Sequence, residues 1–159
     1  MRIVVFSDSH GKLDWMIAIM EHEQPSCVFF LGDHERDGWD LSRLYPNTPL
    51  YAVKGNCDWG TGAEEWLVEV DGKRFLLTHG HLYGAKTGLD RLVAAGQRVA
   101  ADMVCFGHTH RPLCEREVEG VKLFNPGTIG GPNGQTVTYG LLTISKGIIK
   151  EEIKGTDQV

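Results

Sequence analysis

The N-terminal third of the chain alternates short apolar segments with amphipathic stretches, and this order restricts the fold more than any other feature. Residues 2–7, which contain the apolar run Ile3–Phe6, and the apolar run at 27–31 predict buried strands, and residues 50–53 predict a third strand. Residues 12–22 predict a helix with one apolar face, formed by Leu13, Met16, Ile17 and Met20. A weaker helix is expected over 38–45, after a charged, solvated loop at 34–37. This β-α-β-α-β order is typical of a parallel sheet with helices packed on it.

The pattern changes in the rest of the chain. Residues 65–70 and 74–78 flank Asp71-Gly72, a favoured turn dipeptide, and predict a β-hairpin. A helix is expected over 86–99 and a short buried strand over 103–106. Further strands are expected at 114–118, 121–124, 136–144 and 147–153, and these predict a second, more antiparallel sheet. The predicted fold is α/β (α+β), a four-layer β-sandwich of two mixed sheets flanked by helices, in one domain spanning 1–159.

Composition excludes several classes of protein. The chain has 159 residues, enough for one ordinary domain, and a formal net charge of −5 without a basic cluster. Binding of a nucleic-acid polymer is therefore disfavoured. The longest apolar run, Trp15–Met20, is far shorter than the roughly 18 residues of a membrane span. The four cysteines form no CxxC pair, so we expect a reduced, cytoplasmic protein without a membrane partner.

Metal-ligating side chains follow five of the predicted strands. They are two aspartates, one asparagine and four histidines: Asp8, His10, Asp33, Asn56, His79, His108 and His110. Ligands of open α/β sheets bind outside the carboxyl ends of the strands, so we expect these side chains to share one rim. Asp8 and His10, and likewise His108 and His110, should share a face if their segments are extended.

These residue types predict a metal centre. Imidazole and carboxylate together suit Mn, Fe, Co, Ni or Zn. Seven ligands are too many for one ion and about right for two, if one carboxylate bridges them. Two ions roughly 3.5–4 Å apart can hold a bridging hydroxide and clamp the attacking and leaving oxygens of an in-line displacement. The sequence therefore predicts hydrolytic phosphoryl chemistry.

The motifs resemble those of the calcineurin-like metallophosphoesterase family, within its small single-domain branch of YfcE-type phosphodiesterases and Vps29. They read Asp8-x-His10, Gly32-Asp33, Gly55-Asn56-x-Asp58, His79-Gly80 and Gly107-His108-Thr109-His110. Asn125-Pro126-Gly127-Thr128 matches the branch's Asn-Pro-Gly-Ser segment with one conservative change. The resemblance extends in order from Asp8 to about Thr128.

The resemblance implies a helix-flanked β-sandwich that carries a dinuclear site of the Mn type, with Ni, Co, Fe or Zn as alternatives. It assigns one ion to Asp8, His10, Asp33 and His110. It assigns the other ion to Asp33, Asn56, His79 and His108, so that Asp33 bridges the two ions.

One position departs from the family pattern. The family's Gly-Asn-His-Asp/Glu reads Gly55-Asn56-Cys57-Asp58, so the histidine credited with protonating the leaving group is replaced by a thiol that could donate a proton. We assign catalytic roles to Asp33, Asn56 and Cys57, and substrate contacts to Asn56, Cys57 and His81. Asp58 is left open between an orienting group and a turn residue.

The preferred function is metal-dependent hydrolysis of small phosphodiesters, with monoesters as a further substrate class, by a hydroxide held between two metals. Two alternatives stay open. A non-catalytic Vps29-like interaction scaffold would use the same fold, but that alternative expects missing ligands. A dinuclear metallohydrolase acting on another ester would have similar ligands. An exposed edge strand would permit a homo-oligomer.

Overall fold

The computed structural model describes residues 1–131 and 137–159. Its strands are β1 (Arg2–Phe6), β2 (Cys27–Phe30), β3 (Leu50–Ala52), β4 (Glu65–Val70), β5 (Lys73–Thr78), β6 (Met103–Cys105), β7 (Leu113–Val118), β8 (Val121–Asn125), β9 (Thr138–Ser145) and β10 (Ile148–Gly155). Its α-helices are α1 (Leu13–Glu23), α2 (Glu35–Leu44) and α3 (Asp90–Arg98), and short 3-10 helices span His81–Tyr83 and Thr156–Gln158.

The strands form two five-stranded sheets, and both are mixed. The first has the order β10-β9-β1-β2-β3, in which β1, β2 and β3 run parallel and β9 and β10 are antiparallel. The second has the order β4-β5-β6-β8-β7, with β5, β6 and β8 parallel. The predicted hairpin at Asp71-Gly72 is confirmed as β4–β5.

The prediction that the strands at 136–144 and 147–153 belong to the second sheet is wrong. They are β9 and β10, and β9 pairs with the open edge of β1 through a register that sets Gly140 opposite Val5. Six of the eight residues of β9 are buried, as expected for an interior strand. Burial alone does not tell which sheet a strand joins, because that depends on contacts far apart in sequence. Residue 136 lies outside the described residues.

The sheets pack face to face with helices outside, which confirms the predicted four-layer architecture. Ile3 and Val5 of β1 point into the core between the sheets, where they meet Phe75 and Phe124 of the second sheet. Their neighbours Val4 and Phe6 point to the opposite face, where α1 and α2 pack. Both faces of β1 are therefore buried, and this explains its uninterrupted apolar run. Helix α3 covers the outer face of the second sheet.

Two helices begin at residues other than those predicted. Helix α2 begins at Glu35, so the loop predicted at 34–37 is wrong; Glu35 and Asp37 are buried in its first turn. Its first amide groups are capped by a residue distant in sequence, Asp58. Helix α3 begins at Asp90, because a 3-10 helix and a turn precede it. Within the described ranges, no helix has both the length and the apolar character needed to cross a membrane.

We predict that Gly140→Ala destabilises the protein by about 1–3 kcal/mol, because overpacking a core has that typical cost. A Cβ atom at this position would lie 2.5 and 2.6 Å from two ring carbons of Phe124 in the opposite sheet. Urea unfolding followed by circular dichroism measures the change. Gly88→Ala is the matched control, because a Cβ there meets nothing within 4 Å. Equal stability of the two variants would contradict the placement of β9.

Candidate metal centre

The seven predicted ligands lie together at one rim of the sandwich. Asp8, Asp33 and Asn56 follow β1, β2 and β3 of the first sheet, and His79 and His108 follow β5 and β6 of the second. The remaining two, His10 and His110, bring their rings to 5.5 Å of each other, measured between centroids. The rim therefore joins side chains from both sheets, as expected for the carboxyl ends of parallel strands.

The backbone brings the paired ligands together in a way that differs from the prediction. Asp8 and His10 have φ angles of 54° and 45°, and His108 and His110 have 65° and 58°. All four residues have left-handed backbone conformations, so the prediction that Asp8-x-His10 and His108-x-His110 are extended segments is wrong. Asp33 is also left-handed, with φ 58°. Asp and His adopt the left-handed conformation more often than most other non-glycine residues. Backbone strain of this kind is concentrated at functional sites.

A first group of candidate ligands consists of Asp8, His10, Asp33 and His110. Each of these residues offers one ligand atom, and the four atoms lie within 4.8 Å of one another. His110 Nε2 is 3.1 Å from Asp8 Oδ1. Asp8 and Asp33 are buried, whereas His10 is exposed at the rim. Two carboxylates and two imidazoles together form a set of ligands that suits a transition-metal ion.

A second group centres on His79, which is fully buried. Its Nδ1 lies 2.6 Å from the carbonyl oxygen of Leu31, which can only accept, so Nδ1 carries the proton. In the neutral ring Nε2 is then a lone-pair donor, and it lies 3.0 Å from Asn56 Oδ1 and 3.4 Å from Asp33 Oδ1. Three converging lone-pair atoms fit a cation between them. The backbone carbonyl fixes the tautomer, as is usual for metal-ligating histidines.

His108 completes the second group, with its ring centroid 5.0 Å from that of His79. Burial lowers the pKa of His108 to about 4, and the charge of Lys86 adds to this effect. The imidazole of His108 is therefore neutral at pH 7 and can offer a lone pair to a metal. A hydrogen bond with Asp8 instead raises the pKa of His110.

Asp8 has a perturbed carboxyl group. Burial opposes its ionisation, but hydrogen bonds with His110 and from Ser7 favour the carboxylate, and the pKa of Asp8 is lowered. Ser7 Oγ donates to Asp8 Oδ2 over 2.5 Å, and the backbone N–H of His108 donates to the same oxygen over 3.1 Å. The carboxylate form of Asp8 is thus the one that the fold stabilises.

Two aspartates outside the ligand set, the buried Asp37 and the half-buried Asp58, hold the loops in place, and the role of one was missed from the sequence. Asp37 accepts hydrogen bonds from Ser9 Oγ and the N–H of Gly11, over 2.6 and 2.9 Å. Asp58 accepts from the N–H groups of His34, Glu35 and Gly55. The orienting role left open for Asp58 is therefore the one observed. No local pattern indicates the role of Asp37, because its partners are distant in sequence.

Asn125 and Gly107 position the turn that carries His108. The Asn125 side chain donates to the carbonyl of Gly107 and to Thr109 Oγ1, over 2.9 and 3.1 Å. Gly107 packs directly against Ser7 and Asp8, so that a Cβ atom would overlap Ser7 Oγ and lie 2.8 Å from Asp8 Oδ2. Glycine is required here for close approach of the two sheets.

Cys57 and His81 border the ligand set. Cys57 is exposed, and its backbone N–H donates to Asp33 Oδ1 over 3.0 Å. Burial and the charge of Asp33 raise the pKa of the Cys57 thiol, which keeps it protonated at neutral pH. The His81 ring lies 5.4 Å from that of His79 and 6.1 Å from that of His108. Its Nδ1 is buried and has no hydrogen-bond partner among the described residues.

Comparison with known proteins matches this chain to one family. The model of the "Calcineurin-like phosphoesterase superfamily domain" matches residues 1–147. The chain is 35% identical over 150 residues to "Probable metallophosphoesterase YsnB" of Bacillus subtilis, covering 91% of this chain and 85% of that protein. It is 36% identical over 103 residues to "Phosphodiesterase YfcE" of Escherichia coli K12, covering 58% and 52% of the two chains.

Solved structures show the same fold. A conserved protein of Streptococcus pneumoniae TIGR4, described as a predicted phosphoesterase, superposes with a TM-score of 0.83 and 28% identity over 98% of this chain and 90% of that one. Vps29 of Entamoeba histolytica, solved in complex with Zn²⁺, superposes with a TM-score of 0.75 over 98% and 99% of the two chains. At 19% identity the second likeness is one of fold alone.

We predict that Gly107→Ala weakens Mn²⁺ binding by about tenfold or more, the usual effect of disturbing residues that orient metal ligands. The added methyl group would displace Asp8 and Ser7. Isothermal titration with Mn²⁺ measures the affinity, and a urea midpoint verifies folding. Ser7→Ala combined with Gly107→Ala removes the overlapping hydroxyl and should recover part of the affinity. Unchanged affinity in Gly107→Ala would show that Asp8 is not held by this contact.

Proposed function

The chain belongs to the calcineurin-like phosphoesterase superfamily and is a metal-dependent phosphoesterase, and we propose that it hydrolyses small phosphodiesters with two divalent metal ions. The observation that carries this proposal is the convergence of seven metal-ligating side chains on one rim. Four of them form one compact group, and His79 with its neighbours forms another. Monoesters are a further substrate class for the same site.

Asp33 is the carboxylate proposed to bridge the two ions. It belongs to the compact group of four, and its Oδ1 also faces His79 Nε2 in the second group. The backbone N–H of Cys57 donates to the same oxygen and fixes its direction. Mn²⁺ is our preferred ion, and Ni²⁺, Co²⁺, Fe and Zn²⁺ suit the same mixture of imidazole and carboxylate.

Bound divalent ions would lower the pKa of a water molecule and neutralise charge on the phosphoryl oxygens. The protein's own residues hold this centre rigid. Asp8 is fixed from two sides by Ser7 and by the N–H of His108, and the Leu31 carbonyl fixes the ring of His79. Fixed ligands keep the reacting groups oriented without reorganisation during the reaction.

Asn56 and Cys57 are proposed to contact the substrate, because both are exposed beside Asp33. The Asn56 amide would bind a phosphoryl oxygen. The Cys57 thiol would transfer its proton to the departing oxygen, which yields an alcohol and a thiolate that water then reprotonates. A thiol with a raised pKa is present in the protonated form that this role requires. His81, half-buried beside His79 and His108, is a further candidate for substrate contact.

A non-catalytic scaffold is the weaker alternative for this chain. Such a protein has no need of a complete ligand set, whereas all seven candidate ligands are present here, and hydrogen bonds hold Asp8, His79 and His110. A metallohydrolase acting on another ester would need the same ions, and comparison of substrates decides between the two reactions. The net charge of −5 favours a small phosphoester over a polyanion.

We predict that Asp33→Asn abolishes hydrolysis of bis(p-nitrophenyl) phosphate in Mn²⁺ while the fold persists. Loss of the shared carboxylate should also lower the metal content from two ions per chain to one or fewer, measured by elemental analysis. Asp71→Asn is the matched control, because Asp71 lies in the β4–β5 turn at the end of the sheet opposite the site. Full activity of Asp33→Asn would refute the dinuclear proposal.

We predict that Cys57→Ala slows hydrolysis of esters with poor leaving groups more than of p-nitrophenyl esters, because a good leaving group needs no proton. The measurement is kcat for a series of aryl phosphodiesters whose phenols differ in pKa. Cys57→Ser, which retains a hydroxyl donor, should show a smaller effect. If Cys57→Ala changes all members of the series equally, Cys57 is not the proton donor.

A further inference from the structure

A cleft of about 380 Å³ adjoins the candidate metal centre. Phe106 and Thr109, which flank His108 in its turn, form part of one wall, and the cleft is otherwise lined by Ala85, Lys86, Leu89, Arg111, Pro112 and Leu113. Its volume lies within the range of small-molecule sites, about 300–1,000 Å³. The side chain of Asn125 holds both Gly107 and Thr109, so the cleft wall and the metal-ligand turn are fixed together.

The cleft combines an apolar floor with two cations. Ala85 and Phe106 are buried, and Leu89 and Leu113 are half-buried. The cations are Lys86 and Arg111, both exposed, and within residues 1–131 and 137–159 neither forms a salt bridge. Two free cations beside the centre of a protein with net charge −5 are suited to an anionic ligand.

The cleft and Cys57 lie on opposite sides of the metal ligands. Cys57 follows β3, the edge strand of the first sheet, and Tyr51 of β3 packs against Trp66 of β4. The cleft lies on the outer face of the second sheet, where Ala85, Phe106 and Leu113 pack in the same cluster as α3. A diester whose leaving group faces Cys57 would therefore direct its other substituent toward the cleft.

We propose that the cleft binds the substituent that the substrate retains, and that it selects phosphodiesters in which this substituent has an apolar body and a second anionic group. Lys86 and Arg111 would bind that anion, and Leu89 and Phe106 would pack against the apolar body. This inference rests on the proposed phosphodiesterase function and specifies its substrate class. The second anionic group can be a carboxylate or a phosphate, since either would form charge-assisted hydrogen bonds with Lys86 and Arg111.

The test compares two esters with the same leaving group. They are p-nitrophenyl phenyl phosphate and p-nitrophenyl 4-carboxyphenyl phosphate, which differ only in a carboxylate on the retained ring. We expect the protein with Mn²⁺ to favour the carboxylated ester about fivefold in kcat/KM, a size typical of partly exposed charge pairs. The preference should fall with increasing ionic strength, because salt screens exposed charges.

The matched variants replace each cation with an uncharged side chain of similar length. In the double variant Lys86→Met and Arg111→Met, the kcat/KM ratio of the two esters should fall to about one. Lys146→Met is the control, because Lys146 follows β9 at the end of the first sheet opposite the site, and its ratio should equal that of the parent. Binding of 4-carboxyphenyl phosphate to the metal-free protein, followed by isothermal titration, should weaken in the double variant only.

Three other outcomes overturn the inference in distinguishable ways. Equal kcat/KM for the two esters in the parent protein would refute the role of the cleft and leave phosphodiester hydrolysis standing. A preference that survives in the double variant would show that the carboxylate binds elsewhere. Hydrolysis of neither ester would refute the proposed function, and the inference with it.

Discussion

Asp8 is fully buried, and its carboxylate is held by groups that lie about a hundred residues further along the chain. The N–H of His108 donates to it from 100 residues away, and His110 Nε2 lies beside it from 102 residues away. Its backbone carbonyl accepts from Thr128 Oγ1 and from the N–H of Gly130. One residue at the end of β1 thus joins the first sheet, the second sheet and the β8–β9 connection. The positions of His108 and His110 relative to the first sheet depend on this junction.

The junction requires an unusual backbone. Left-handed residues cost of order 1–3 kcal/mol each, and five of the seven candidate ligands adopt that conformation. Hydrogen bonds with residues distant in sequence hold them, including those that Asp37 of α2 accepts from Ser9 and Gly11 on either side of His10. Because each turn is fixed by a different part of the chain, the ligands are preorganised and do not depend on one another's local sequence. Rigidity of this kind is what a metal centre with demanding geometry needs.

The sequence was sufficient to predict that the candidate ligands lie at one rim, but not the backbone conformation by which they converge. Asp33 and His79 were predictable because each follows an apolar strand, and parallel strands end at a common rim. The left-handed turn at Asp8-x-His10 was not predictable from spacing, because an extended segment satisfies the same pattern. The sequence also did not indicate that Asp37 is buried and holds the loop around His10, since its partners Ser9 and Gly11 precede it by more than twenty residues.

The sheet to which a strand belongs could not be predicted for the same reason. The alternation of apolar and amphipathic segments that identified β1 to β3 is a local pattern, whereas β9 pairs with β1 across more than 130 residues of sequence.

This pairing also affects how the protein is made. During synthesis β1 emerges first and keeps one unpaired edge until β9 emerges, a delay of about ten seconds at the usual pace of translation. An apolar strand with an open edge invites pairing with other chains. The nascent protein therefore carries a risk of aggregation in the segment that will later form the centre of its first sheet.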